Sequence, residues 1–262
     1  MSAGAKLSVT LGSFSKCIDP FSKYIDPGGF MYSSVTHIFS QRDREALTAH
    51  IETCAAPSKS PYWNPGWPQE VEAALLDAVF SARATYGGPD TGVRRVVSRW
   101  RKYRQYESLD DPAALAALVD KPEELAEILG NRQRVAGNST TKAECAARIA
   151  TALTGLRVAR AEDLIDSDEL RAAFTAIPGA GTKTWECALF LVGERTPNSL
   201  LHVIAFTSDA VGRTLDGESA EMLLAVTAES MNVERAALEH AVWRYQRRHP
   251  LPKQASELKA VG

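Results

Sequence analysis

Residues 176–193 read AIPGAGTKTWECALFLVG, and this segment joins two helical patterns through a short turn. Pro178 ends the first helix, while Gly179 and Gly181 predict a tight turn with positive φ angles. The second helix begins directly after the turn, so its first backbone N–H groups point outward without partners. Because glycine has no side chain to cover these amides, the segment predicts a helix N-terminus that binds an anionic group such as a phosphate. An ordinary helix–helix turn capped by glycine is the alternative.

A lysine follows this turn and would lie beside any phosphate backbone bound there. The second helix is expected to begin at about Thr182 or Lys183. One role for Lys183 is a direct contact with phosphate. The other role is that of a nucleophile, which a lysine adopts when partial burial or neighbouring positive charge favours its neutral form. Both roles are compatible with the sequence.

The composition limits the classes of partner. The chain has 262 residues, of which 45% are apolar, enough for one large domain or for two small ones that share a core. Its formal net charge is −2, so the chain as a whole has no basic field. A nucleic-acid partner would therefore require a local basic patch.

The sequence also bears on membranes, metals and cellular compartment. No run of about 18 or more apolar residues is present, so we expect no transmembrane helix. The N-terminus lacks a basic region followed by an apolar one, so no secretion signal is expected. The four cysteines show no CxxC spacing, which argues against the usual zinc and iron–sulfur sites and for a reducing compartment. We therefore expect a cytoplasmic protein, nucleoid-associated in a bacterium, with no metal and no cofactor.

The hydrophobic pattern is helical almost throughout from residue 70 onwards. Apolar residues recur at intervals of three and four, and alternating β patterns are nearly absent. The sequence therefore predicts an all-α protein with about ten helices. The segment LLHVIAF, residues 200–206, is the one short apolar run that is compatible with an extended conformation.

Two predicted helices carry clusters of basic residues. The helix that contains Arg94 and Arg104 has several arginines away from its apolar face, and these are candidate phosphate contacts or simply a solvated face. The last helix contains AVWRYQRR, residues 241–248. We expect its Trp243 and Tyr245 to lie in the core and to dock that helix.

Three segments, taken together and in order, resemble a known superfamily. They are LLDAVFSARATYGG (residues 75–88), GNSTTKAECAARIATAL (137–153) and IPGAGTKTWECALFLVG (177–193). The first is similar to the pattern LL-x-x-x-LSAQAT of endonuclease III, the second to its YNSKAENI segment, and the third to its hairpin. The chain thus resembles the helix-hairpin-helix DNA glycosylase superfamily, which includes endonuclease III and 8-oxoguanine glycosylase. The matching segments span nearly half of the chain.

This resemblance implies an architecture. It predicts two helical lobes with a helix-hairpin-helix motif and an active-site cleft between them. Residues 70–193 would form a helical-barrel lobe that ends in the hairpin, and residues 36–69 plus 194–262 would form the second lobe. Residues 1–35 would form an irregular N-terminal arm. The four-cysteine cluster site of endonuclease III has no counterpart here, so packing alone would hold the C-terminal helices.

The resemblance also implies catalytic residues. Lys183 occupies the position of the lysine that, in bifunctional members, attacks the sugar C1′ and forms a Schiff base. The family also has an aspartate at the start of the next helix, which stabilises the cationic sugar, and Asp209 is the candidate, followed by Arg213 as a basic residue. The gap from Lys183 to Asp209 is several residues longer than is typical, and the register places Ser208 at the matching position. Asp216 is a further alternative, and a helix N-cap is the other role for Asp209.

DNA-binding residues follow from the same comparison. Gly179, Gly181, Thr182 and Thr184 match the phosphate-binding hairpin. Arg83 replaces the endonuclease III glutamine that fills the gap left by an extruded base. An arginine there would fill the stack and donate hydrogen bonds to the orphaned partner base, whereas a plain surface role is the alternative.

The implied function is that of a base-excision DNA glycosylase with AP-lyase activity. Its partner would be double-stranded DNA with a damaged or modified base, and we expect a monomer with no membrane association. Two alternatives remain. One is a monofunctional glycosylase in which Lys183 only contacts phosphate, and the other is a non-catalytic helix-hairpin-helix protein that binds DNA.

Overall fold

The computed structural model describes residues 39–55, 64–84, 86–88, 90–249 and 251. The predicted arm at residues 1–35 lies outside them. The helices that follow all belong to one compact unit, Gln41–Gly262.

The described residues form helices and no β-strand, which confirms the all-α prediction. Eleven α-helices occur in this part of the chain, together with one 3₁₀ turn at Ala161–Asp163. The α-helices are α1 (Gln41–Cys54), α2 (Val71–Ser81), α3 (Gly92–Arg104), α4 (Pro112–Ala116), α5 (Pro122–Leu129), α6 (Lys142–Gly155), α7 (Asp168–Thr175), α8 (Thr182–Val192), α9 (Pro197–Val211), α10 (Gly217–Ser230) and α11 (Arg235–Gln246).

The segment LLHVIAF is helical, so the extended alternative is wrong. It lies inside α9, which begins at Pro197. Thr196 caps that helix by accepting a hydrogen bond from the Ser199 N–H at 3.1 Å, and Pro197 occupies the first turn, where its missing N–H has no cost. The whole of α9 from Leu201 to Thr207 is buried, which explains why its pattern lacks a polar face.

The helices pack in two sets. Helices α2 to α8 pack on one another, whereas α1, α9, α10 and α11 pack on one another. The core of the first set also includes Trp243 from α11, whose ring stacks on Phe190 at a centroid distance of 4.2 Å. These sets use the helices of the two predicted lobes, 70–193 and 36–69 plus 194–262. The division into lobes stays a prediction, because all of these helices belong to one compact unit.

Helix α2 is the centre of the first set. It packs against α3, α4, α6 and α8, and every residue from Val71 to Phe80 is buried. Its sequence is almost entirely apolar, but it includes the acidic residues Glu72 and Asp77, both fully shielded from solvent. A buried carboxylate destabilises the fold unless hydrogen bonds replace its hydration.

Glu72 meets this requirement on both of its carboxylate oxygens. Oε2 accepts hydrogen bonds from the Trp100 Nε1–H and from the Arg104 Nε–H, the latter at 3.1 Å. Oε1 accepts from the Asp111 N–H at 3.0 Å. Burial still raises the pKa of Glu72, although these donors oppose the shift. The network joins α2 to α3 and to the start of α4.

A buried histidine joins α11 to the segment before α2. The His240 Nδ1–H donates to the Asn64 carbonyl oxygen, and the ring is 2% exposed. Burial, with a smaller contribution from the nearby Arg244 charge, lowers the pKa of His240 to about 3. The folded protein therefore keeps this ring neutral at acid pH values at which the unfolded chain protonates it.

We predict that His240 makes the protein acid-labile. Between pH 6.5 and about 3 the unfolded state binds the extra proton, so the free energy of unfolding falls as the pH falls. At pH 5 this contribution amounts to about 2 kcal/mol. His240→Asn keeps a donor for Asn64 but does not titrate. Urea unfolding of both proteins at pH 7.5, 6 and 5 is expected to show a flatter pH dependence for the variant. Equal slopes would contradict the assignment.

Candidate functional site

A large surface depression contains most of the predicted site residues. Its volume is about 1720 Å³, and its walls come from the end of α2, the α7–α8 turn, the start of α8 and the end of α11. We call it the basic depression because six cationic side chains line it: Arg83, Lys142, Lys183, Arg244, Arg247 and Arg248. Among the described residues that line it, Asp77 has the one carboxyl group.

The α7–α8 turn forms one wall of the basic depression. Gly179 has a φ of +95°, as predicted, but Gly181 has a φ of −104°, so the prediction of a positive angle there is wrong. Gly181 is the N-cap of α8, and an N-cap residue takes an extended conformation that any residue can adopt.

The two glycines serve different purposes. A Cβ on Gly179 would lie 2.3 Å from Val135 Cγ1, so this glycine permits close packing inside the protein and not the approach of a ligand. A Cβ on Gly181 would meet nothing within 4 Å. The open face in front of α8 is therefore at Gly181.

The first amides of α8 have no acceptors within the part of the chain that the structure describes. Among the described residues, the N–H groups of Gly181, Thr182 and Lys183 form no hydrogen bond, whereas the Thr184 N–H donates to the Gly181 carbonyl at 2.8 Å. Thr182 is exposed and Thr184 is buried. Three unpaired donors at a helix N-terminus form a surface that favours an anion.

Lys183 lies in the first turn of α8, on the wall of the basic depression. The residue is exposed, and its Nζ forms no hydrogen bond or ion pair with any described residue. Its carbonyl oxygen accepts a hydrogen bond from Arg247 Nη2 at 3.0 Å. The Arg247 guanidinium also lies 4.4 Å from the centre of the Trp243 ring. These contacts attach the end of α11 to the start of α8.

The structure does not bring Asp209 together with Lys183. Asp209 lies in the last turn of α9, not at a helix start as expected, because Thr196 caps that helix thirteen residues earlier (209 − 196 = 13). Its carboxylate lies 3.6 Å from His50 Nε2 and its side chain is 71% exposed. It does not line the basic depression.

The other residues predicted around Asp209 also lie outside the basic depression. Arg213 forms an ion pair with Asp43 on α1. Ser208 accepts a hydrogen bond from the Leu215 N–H at 3.0 Å through its Oγ. Asp216 is the N-cap of α10, and the hydrogen bond that it accepts from the Ser219 N–H lowers its pKa. Each of these groups has a local structural partner.

Arg83 lines the basic depression directly after α2. It is exposed and has a φ of +54°, a left-handed conformation that is uncommon for a residue with a side chain. The adjacent segment is held by Lys142, whose Nζ donates to the carbonyl oxygens of Phe80 at 2.9 Å and of Ala82 at 3.0 Å. Burial lowers the pKa of Lys142. Lys142 was not among the residues predicted from the sequence. The available signal was its position as a lysine at the start of a mostly apolar helical segment.

Asp77 lies at the floor of the basic depression with its side chain fully shielded from solvent. Its Oδ2 accepts hydrogen bonds from the Trp67 Nε1–H at 2.8 Å and from the Tyr86 hydroxyl group. Its Oδ1 has no partner among the described residues. Burial raises the pKa of Asp77. The Arg244 guanidinium lies beside this carboxyl, 3.7 Å from the centre of the Tyr86 ring.

Apart from Arg83, the arginines of the depression are not those proposed from the sequence. On α3, Arg101 pairs with Glu70 at 2.6 Å, Arg104 pairs with Glu72, and Arg99 donates to the Ile128 carbonyl. These side chains stabilise the fold and do not line the depression. The basic wall comes from the end of α11, where sequence analysis considered only the aromatic residues. The spacing of three arginines at residues 244, 247 and 248 was the available signal, since it places them on one helix face.

Some classes of site are not supported by the described residues. They contain no group of three or more His, Cys, Asp or Glu side chains that could hold a metal ion. None of the helices in the described ranges is long and apolar enough to span a membrane.

Comparisons with known proteins place the chain in a family. No curated protein and no solved structure matches it. The family described as a domain of unknown function (DUF8548) matches residues 45–247, which is more than half of the chain and includes every element of the basic depression up to Arg247. The chain therefore belongs to the DUF8548 family.

Proposed function

We propose that this protein is a base-excision DNA glycosylase with AP-lyase activity, which acts in the cytoplasm as a monomer on duplex DNA with a damaged or modified base. One observation carries the proposal. Lys183 and five other cations line a single depression, and none of the six forms an ion pair with a described residue. Elsewhere in the structure, arginines such as Arg101, Arg171 and Arg195 are paired with carboxylates.

The α7–turn–α8 unit would act as a helix-hairpin-helix motif. The free amides of Gly181, Thr182 and Lys183 would donate hydrogen bonds to one phosphate group of the DNA. Arg247 and Arg248 at the end of α11 also line the depression and would contact neighbouring phosphates. Such contacts are independent of base sequence and would offset the few kcal/mol that extrusion of a nucleotide costs. The depression would then serve as the active-site cleft.

The chemistry follows from the resemblance to bifunctional glycosylases. The Lys183 amine would attack C1′ of the extruded nucleotide and lose a proton, while the C1′–N bond breaks and the base leaves with the bonding electrons. The product is an aminal, whose C1′–O4′ bond would break with transfer of a proton to O4′ to give a Schiff base. The Schiff base would lose a C2′ proton, and the C3′–O bond would break with departure of the phosphate. Water would then release the sugar fragment from the lysine. Each step needs an amine beside a bound phosphate backbone, and the exposed Lys183 next to the unpaired amides of α8 supports the proposal.

Two alternatives remain for the same surface. In a monofunctional glycosylase, water would attack C1′ and Lys183 would only contact phosphate. In a non-catalytic DNA-binding protein no bond would break, and the position of Asp209 outside the depression favours this alternative. The role of Asp209 as the catalytic carboxylate stays a prediction.

Borohydride trapping on a duplex with a natural abasic site tests the lyase step without knowledge of the base. We expect the wild type to form a covalent protein–DNA adduct and Lys183→Gln to lose at least about 100-fold of it, because the nucleophilic amine is gone. Lys102→Gln removes an exposed lysine of α3 that does not line the depression, and is the matched control. Base release without an adduct would indicate the monofunctional alternative. No cleavage of any duplex in a lesion panel would indicate the non-catalytic one.

The two glycines of the turn are expected to respond differently to alanine. In Gly179→Ala, the alanine would be strained by the positive φ and its Cβ would overlap Val135. The substitution should therefore lower the free energy of unfolding by about 1–3 kcal/mol. Gly181→Ala should leave stability nearly unchanged but weaken DNA binding roughly tenfold, because a methyl group would partly cover the phosphate position. Thermal melting and fluorescence polarisation on the abasic duplex measure the two effects. Unchanged affinity of Gly181→Ala would argue against phosphate binding at α8.

The salt dependence of binding should identify the phosphate contacts of α11. If Arg248 neutralises one phosphate, Arg248→Gln should reduce the slope of log Kd against log salt by about 0.9. Arg132→Gln is the control, because this exposed arginine is paired with Glu123 and Glu127 and does not line the depression. Equal slopes for both variants would exclude Arg248 from the interface.

A further inference from the structure

The two buried carboxyl groups of α2 are hydrogen-bonded to different extents. Both oxygens of Glu72 accept hydrogen bonds from donors that hold the helices together. Asp77 is equally buried, yet its two donors, Trp67 and Tyr86, both reach Oδ2, and Oδ1 has no partner among the described residues. An unsatisfied buried oxygen costs stability and calls for an explanation. Hydrogen bonds within the fold account for both carboxyl oxygens of Glu72, but for only one of the two carboxyl oxygens of Asp77.

The surroundings of Asp77 indicate a ligand. It is the carboxyl group among six cations at the floor of the basic depression. Next to it, the Tyr86 ring has the planar guanidinium of Arg244 over its face at 3.7 Å. An aromatic face that accepts a flat cation also accepts a flat, neutral heterocycle. Arg244 has a long side chain on the last turn of α11. Movement of this side chain would open the floor of the basic depression to a ligand.

We propose that Asp77 reads the base that enters the basic depression, with Oδ1 accepting a hydrogen bond from a ring N–H or exocyclic amino group of that base. This inference rests on the proposed function, because it assumes that an extruded nucleotide enters the depression. It deepens that function by assigning a recognition residue that would select bases whose N–H donor lies opposite Oδ1. Asp77 acts here in recognition, whereas Lys183 acts on the sugar.

The substitution Asp77→Asn provides a defined test, because the surrounding groups fix the orientation of the amide. The Trp67 indole N–H can only donate, so the Asn oxygen must take the Oδ2 position. The Asn NH₂ group then occupies the Oδ1 position and presents a donor in place of an acceptor. The existing hydrogen bonds are retained, so we expect the variant to melt at or above the wild-type temperature.

The measurement compares Kd values for duplexes that carry one modified base with the Kd for a duplex that carries a tetrahydrofuran abasic analogue. A panel with 8-oxoguanine, 5-hydroxycytosine, thymine glycol and hypoxanthine serves as the probe set. We expect the wild type to prefer at least one base over the analogue, and Asp77→Asn to lose about tenfold to 100-fold of that preference. Binding of the analogue itself should not change, because it has no base to read.

Glu72→Gln is the matched control. Both Glu72 oxygens face donors, so a glutamine must set its NH₂ group against another N–H and should lower the melting temperature. Its base preference should equal that of the wild type. If Asp77→Asn keeps the wild-type preference, Oδ1 is not an acceptor for the base and only the inference fails. If the wild type binds every duplex and the analogue equally, the inference and the proposed glycosylase function fail together.

Discussion

Complete burial of α2 is the constraint on which the rest of the structure depends. A helix that is covered on all sides constrains its neighbours, because α3, α4, α6 and α8 all pack against it. Its ends are held by polar contacts. Val71 N–H donates to Asp110 Oδ1 at 3.3 Å at one end, and Lys142 binds two carbonyl oxygens at the other. The positions of Arg83 and Tyr86, which follow α2 in the chain, are set by that second anchor.

The basic depression forms because three distant parts of the chain meet at this anchored end. Helix α8 packs along α2, so the turn at Gly179 lies near the last turn of α2. Helix α11 joins them through the stacking of Trp243 on Phe190 and the hydrogen bond from Arg247 to the Lys183 carbonyl. These contacts hold the backbone walls together, while the exposed side chains on them, such as Lys183 and Arg248, have no partners among the described residues and are available to a ligand.

Local signals were predictable from the sequence, and long-range ones were not. The all-α fold, the turn at Gly179 and the start of α8 follow from periodicity and turn chemistry within a few residues. Asp209 was expected at a helix start because the superfamily that the chain resembles has an aspartate there, whereas Thr196 and Pro197 had already begun that helix. Asp77 lies in an apolar run, and a single acidic residue there forms no periodic pattern that would indicate its role. The role of Asp77 depends on tertiary contacts, and the sequence pattern of one segment does not show these contacts.

The distribution of charge explains how a chain with a small negative net charge would bind an anionic partner. The net charge of −2 averages over a surface on which carboxylates lie beside arginines, as in the pairs of Arg195 with Glu239 and Arg213 with Asp43. The cations of the basic depression instead contact ring faces and carbonyl oxygens, as Arg244 and Arg247 do. Among the described residues neither guanidinium forms an ion pair, although the Asp77 carboxyl lies near Arg244, and most of the charged groups that line the depression are positive. In the proposed complex, Oδ1 of Asp77 at the floor would accept a hydrogen bond from an N–H group of a base, which a phosphate diester does not have, so the floor would favour the base over the phosphates that the rim attracts.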